Sequence, residues 1–164
     1  MNYLLNFLRV VSGAFIGILL LPYVTRVLGP ENFGKVEYVF TIINYFILFS
    51  TLGIPMYGIR EISKVRDDKK ETAKVLLELF SILFVTTFIS YLIIFGVIFQ
   101  LEKFDNYKDL LIVFSSMVVL TNIGAEWYFQ GIENQLYITV RYLLVRFSAL
   151  GLIYFFVIKP EDYI

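Results

Sequence analysis

Two charges stand where charges are costly. Arg146 precedes an apolar run from 147 to 158, and Glu126 lies near the end of another apolar run. A guanidinium inside a lipid-embedded helix needs a partner or a wet cavity. In a cavity it presents a planar, permanently positive fork that suits carboxylates and phosphates. Two readings of Arg146 stand side by side: it faces such a cavity, or its long stem carries the charge back to the interface. Arg141, about one and a half turns earlier, is placed to snorkel in that way. Glu126 also has two readings. It pairs with Arg146 across adjacent helices, or it is a solvated acid beside Trp127 in the interfacial aromatic belt.

Other chemistry is sparsely supplied. The chain has no Cys and no His. Zinc, haem, Cys-His and Ser-His sites therefore lack their main players. No metal site, cofactor or catalytic residue is expected, and the chain reads as a non-enzyme. It has neither a phosphate-binding P-loop nor a potassium-type filter. Its net charge is zero, so no global basic field points to nucleic acid. Asn44, Thr86, Thr87, Ser115, Ser116, Thr121 and Asn122 lie within apolar runs, and are expected to bond to neighbouring helices or to their own backbone.

The elements that carry these residues are all-α. Of 164 residues, 59% are hydrophobic and 17% charged, with mean hydropathy +0.76. A soluble domain carries about 25% charge and could not hide so much apolar surface. A lipid-spanning helix needs ~20 apolar residues. About five such spans are expected, at 6–25, 38–59, 79–101, 110–129 and 140–158, forming a multi-pass transmembrane helix bundle. The first is too long for a signal-peptide core and has no small-residue cleavage site after it, so it reads as a retained span.

Segment 60–78 concentrates Arg60, Lys64, Arg66, Lys69, Lys70 and Lys74. It reads as an amphipathic helix or turn on the cytoplasmic membrane surface. With the N-terminus inside, nine of the 14 Lys and Arg residues lie on or near the cytoplasmic side, which sets that orientation. Gly13 and Gly17 form a small-xxx-small packing face. Pro22, Gly53, Pro55 and Gly58 interrupt helices. Gly53 to Gly58 marks either a functional break of the kind transporters use or simply a helix end at the interface.

Three stretches carry a resemblance. They are Pro22-Tyr23-Val24-Thr25-Arg26-Val27-Leu28-Gly29-Pro30-Glu31-Asn32-Phe33-Gly34; Leu52-Gly53-Ile54-Pro55-Met56-Tyr57-Gly58-Ile59-Arg60-Glu61-Ile62; and Glu126-Trp127-Tyr128-Phe129-Gln130-Gly131-Ile132-Glu133. In this order and spacing they resemble the N-terminal part of polysaccharide-biosynthesis flippases. These are the Wzx or RfbX-like O-antigen transporters of the superfamily that includes the MATE exporters. Arg26, Gly29, Gly34, Gly53, Gly58, Arg60, Trp127, Gln130 and Gly131 carry the motif.

The resemblance implies transport of undecaprenyl-diphosphate-linked oligosaccharides across the bacterial inner membrane, by alternating access between two helix bundles. It makes this chain part of the N-terminal bundle of a larger MATE-like transporter. Residues 159–164 are then the outer loop before a further helix, and the chain is a truncated piece. Its partners are the lipid bilayer, the lipid-linked oligosaccharide and the transporter's remaining helices. A MATE-type drug or cation exporter is an alternative, but no carboxylate lies deep in these spans to couple it. A glycan transferase would want a larger extramembrane loop. A non-transporting structural membrane subunit is a further alternative.

Overall fold

The computed structural model describes residues 2–160, with side chains from residue 5. Residues 161–164 of the expected outer loop lie outside the described residues. Six α-helices follow in order: α1 (Asn2–Thr51), α2 (Ile54–Val65), α3 (Lys69–Gly96), α4 (Lys108–Ile123), α5 (Glu126–Gly131) and α6 (Gln135–Phe156). Two short 3-10 turns, Ile98–Gln100 and Glu102–Tyr107, stand where a polar hairpin was expected between α3 and α4.

Four helical stretches are long and apolar enough to cross a membrane: Leu5–Val65, Lys69–Gln100, Glu102–Gly131 and Gln135–Phe156. Burial follows the logic of lipid. Ser50 and Ser90 are fully buried while Phe84 is 75% exposed and Phe155 74% exposed. This is an all-α, multi-pass membrane protein.

Two of the helix breaks have a local cause in proline and glycine. α1 is two helical runs joined at Gly29, which takes φ 72° and ψ 169°. The next residue is Pro30, whose ring bars the residue before it from helical angles. Glycine reaches positive φ without a Cβ penalty. The second break is at Leu52 (φ 45°) and Gly53 (φ 73°), just ahead of Pro55 in the first turn of α2. The third is at Ala125, with φ 40°. Asp68 starts α3 by accepting from the amides of Lys70 and Glu71. Asn134 starts α6 by accepting from the amide of Tyr137 at 3.2 Å.

These breaks change several sequence expectations. The run 38–59 is not one helix: α1 stops at Thr51 and α2 carries on through Val65. Segment 60–78, expected as a helix or turn, is two helix ends with a turn between them. Its first part is the end of α2 and its last part the start of α3, because the Asp68 cap restarts the helix there. The run 110–129 is divided at Gly124 and Ala125. The helix of the last run begins at Gln135 rather than near 140, because Asn134 caps it.

The chain divides into two compact units, one drawn from Met1–Glu37 and Asn134–Ile164, the other Tyr38–Glu133. In the first unit, α6 lies along the first run of α1. Gly13 packs against the Tyr142 hydroxyl. The Tyr23 ring sits 5.5 Å from that of Tyr154, and its hydroxyl donates to the Val157 carbonyl at 2.9 Å. The Asn32 amide donates to the Pro160 carbonyl at 2.8 Å. Residue numbers rise together along these contacts, so the two helices are parallel.

The second unit is built the same way. Phe40 meets Phe114 at 5.9 Å, and Asn122 bonds Ser50 at 3.1 Å. The second run of α1 is therefore parallel to α4. Tyr91 donates to the Ser115 carbonyl at 2.9 Å and Asn122 to Thr87 at 2.6 Å, so α3 is antiparallel to α4. Tyr38 stacks on Phe104 and meets the Tyr107 ring at a tilt at one end. At the other, Ile54, Ile62, Leu79, Leu83, Ala125 and Trp127 form an apolar cluster.

α2 and α5 meet through glycine. A Cβ on Gly58 would lie 2.5 Å from Trp127 Cε3, and one on Gly131 2.7 Å from Ile62 Cβ. Neither neighbour is a flexible chain end. Gly58→Ala is therefore expected to lower stability by about 1–3 kcal/mol through overpacking, read by thermal unfolding in detergent. Gly34 lies within a helix with open space around its Cα. Gly34→Ala should be neutral or stabilising, by up to about 1 kcal/mol.

Candidate functional site

Arg146 lies deeper than sequence spacing implied. It is eleven residues from the start of α6, or about 16 Å along the helix. That is the middle of a 22-residue helix. Its guanidinium carbon stands 5.3 Å from the centre of the Tyr142 ring, a cation–π contact that leaves the nitrogen donors at the rim open to another partner. The side chain is exposed. Arg141 is placed similarly over Tyr137, at 6.0 Å. Glu126 opens α5, where an acid is favoured by the helix dipole. It accepts from Gln130 Nε2 at 3.1 Å. Arg146 and Glu126 thus each have a partner within their own unit.

Trp127 departs from its expected place in the aromatic belt. It is 5% exposed, packed on Gly58 and 6.0 Å from the Phe80 ring. The motif glycines fall into distinct physical groups. Gly29 and Gly53 take positive φ; Gly58 and Gly131 are pressed by side chains; at Gly34 neither reason applies. Arg60 lies over the Tyr57 ring at 5.3 Å and bonds Glu61 at 3.1 Å. The Glu61 carboxylate also accepts from Lys64 Nζ at 2.9 Å. Arg26 is exposed on α1.

The second unit contains a cleft of about 230 Å³. Thr51, Thr121, Asn122, Glu126 and Gln130 supply its polar wall, and Pro55, Ile59, Leu83 and Trp127 its apolar wall. Behind it runs a buried polar seam. Asn122 Nδ2 donates to Ser50 Oγ and Thr87 Oγ1. Thr86 Oγ1 donates to the Ser50 carbonyl at 2.6 Å. Asn122 is 6% exposed, and its Oδ1 is buried without a hydrogen-bond partner. Sequence reading singled out Thr86, Thr87, Thr121 and Asn122 but passed over Ser50 and Thr51. The available signal was their place directly before Leu52-Gly53, where a helix must end.

Among the described residues, no three His, Cys, Asp or Glu side chains gather as a metal site. A larger groove of about 840 Å³ is lined mainly by apolar residues of α3 and α4, including Phe80, Phe84 and Phe88. Such a lining suits acyl chains, not bond chemistry.

A model of polysaccharide biosynthesis proteins matches residues 1–164. The chain belongs to the polysaccharide biosynthesis protein family. A putative O-antigen transporter of Escherichia coli (strain K12) is 25% identical over 158 residues, 95% of this chain. The chain spans 38% of the length of that relative. No solved structure gives a significant match.

In this chain the seam ties three helices together. Thr87→Val removes the nearer of the two acceptors of Asn122 Nδ2. The expected loss of stability is about 0.6 kcal/mol and at most about 1.7, the range of side-chain hydrogen bonds between membrane helices. Ser116 is exposed and bonds only to its own helix, at the Val113 carbonyl. Ser116→Ala should leave the same detergent unfolding curve unchanged.

Proposed function

We propose that the chain forms part of the N-terminal helix bundle of a flippase. The flippase carries undecaprenyl-diphosphate-linked oligosaccharide units from the cytoplasmic to the outer leaflet of the bacterial inner membrane. The observation that carries this reading is the family match over the whole chain, on helices apolar enough to span a bilayer. The name of the Escherichia coli relative, a putative O-antigen transporter, supports the substrate class. The work is movement of a ligand, not bond chemistry.

The helix directions support five crossings. α6 is parallel to the first run of α1, so an odd number of crossings lies between them. The second unit has the matching pattern, with the second run of α1 parallel to α4 and α3 opposed. Within each unit the helix directions support such a pattern, and charge bears on the choice of side. The basic residues from Arg60 to Lys74 favour the cytoplasm. A cysteine at Asn106 should therefore react with an impermeant thiol reagent added outside intact cells, and one at Asp67 should not. The reverse labelling pattern would overturn the orientation.

Arg146 is the proposed contact for the diphosphate. A mid-helix guanidinium can grip two phosphate oxygens at once, whereas an ammonium acts as a point charge. Glu126 is assigned to the same substrate pathway, on the second unit. In the full-length protein, Arg146→Ala should abolish surface polysaccharide export and Arg146→Lys only weaken it. Arg141→Ala should matter less. Normal export by Arg146→Ala at equal protein level would remove Arg146 from the pathway.

A further inference from the structure

A groove of about 840 Å³ runs between α3 and α4 in the second unit. On α3 its wall is the stripe Leu77, Ser81, Phe84, Phe88 and Tyr91. Val119 and Ile123 of α4 face that stripe. Phe84 and Phe88 are exposed along it. Leu77 to Tyr91 is about 21 Å of helix, against ~15 Å for one leaflet's share of a ~30 Å hydrocarbon core. The groove is long enough for an acyl chain to lie along it.

The stripe continues past the groove to Lys74 and Lys70, three and seven residues before Leu77 and on the same helix face. Both side chains are exposed. Among the described residues neither ammonium has an ion-pair or hydrogen-bond partner. Nearby cations are engaged: Arg60 and Lys64 by Glu61, and Arg66 by Glu133. The nearby acids stand off the stripe. Asp68 is held by the amides of Lys70 and Glu71, and Asp67 lies in the turn before the helix. Glu71 and Glu78 lie about a quarter turn round α3 from Lys70.

An apolar groove that opens at one end onto two free lysines matches an amphiphile with a negative head. Basic residues at the membrane end of a helix attract anionic headgroups. A partner helix seated in the groove would want small residues along the contact. Ser81 and Thr87 are small, but the rest of the lining, Asn122 apart, is Leu, Val, Ile, Phe and Tyr. We propose that this groove binds an anionic phospholipid of the bilayer, of the phosphatidylglycerol class. One acyl chain lies along Phe84 and Phe88, and the phosphate lies between Lys70 and Lys74.

Trp127 is the one tryptophan of the chain. It sits 6.0 Å from the ring of Phe80, which lines the groove. The protein in uncharged detergent is titrated with phosphatidylglycerol or phosphatidylcholine carrying brominated acyl chains, since bromine quenches an indole that it approaches closely. Neither lipid carries a sugar chain, so the outcome bears on the groove and not on the flippase reading. The expected result is saturable quenching, half-complete at about tenfold less phosphatidylglycerol than phosphatidylcholine. Lys70→Gln with Lys74→Gln should remove that preference. Lys103→Gln, at the other end of the unit, should keep it. Ser81→Phe should fill the groove and weaken quenching by both lipids. Circular dichroism establishes that each variant is helical, and if Ser81→Phe does not fold the lysine pair decides alone. Equal quenching by the two lipids would overturn the proposal, as would a preference that survives the loss of both lysines. Absence of quenching would overturn it too, and would leave the groove to another helix of the protein. Reversal of the quenching by less undecaprenyl phosphate than unbrominated phosphatidylglycerol would assign the groove to a carrier lipid instead.

Discussion

A main chain in hydrocarbon must pair its own polar groups, because no water is there to pair them. Most of this molecule follows from that constraint. It selects helices throughout the described residues and turns their apolar side chains outward. It also makes every interruption of a helix an event that needs a chemical cause. Pro30 forces the break at Gly29, and Pro55 follows the break at Leu52 and Gly53. Glycine at φ 72° and 73° lets the chain turn at both places with no Cβ in the way.

The second unit shows how two interruptions can support each other. Ser50 and Asn122 are hydrogen-bonded, and each stands just ahead of a break, at Leu52–Gly53 and at Gly124–Ala125. The breaks therefore lie at one level of two parallel helices. Where the backbone ladder is interrupted, hydroxyl and amide groups are buried, and Thr86 meets the Ser50 carbonyl. Beyond the breaks, α2 and α5 approach closely because Gly58 and Gly131 have no side chains. The Arg66–Glu133 ion pair at 2.5 Å links the end of α2 to the residue after the α5 cap. Both its side chains are partly exposed, so it adds little to that packing in water. The close glycine contacts and the buried Trp127 hold the pair.

Arg146 illustrates a different balance. A charge in the middle of an apolar helix is tolerated when something shares its field. Tyr142, one turn earlier, provides a ring face while the guanidinium stays available at its edge. The same tyrosine packs its hydroxyl against Gly13, so one residue supports both the charge and the parallel pairing of α6 with α1. Lys64 and Arg60 on Glu61, by contrast, are ordinary polar contacts of a basic segment.

The fold class was legible in the residues alone. Long uncharged runs need no tertiary context to be read, because lipid acts on composition and length. The motif stretches were legible too, and with them the family. Sequence also located the breaks near Gly29 and Gly53, since proline and glycine act on their own backbone. It could not assign Gly58 or Gly131 a cause, because the side chains that press them, Trp127 and Ile62, lie far away or on another helix. Nor could it see that Trp127 is interior or that Ser50 belongs with Asn122. Asn134 capped α6 earlier than hydropathy suggested, and so moved Arg146 to mid-helix. The unmet oxygen of Asn122 was the least legible of all. Whether a buried amide is satisfied depends on which groups from α1 and α3 reach it, and that is decided by packing at a distance in the chain, not by any residue's neighbours in sequence.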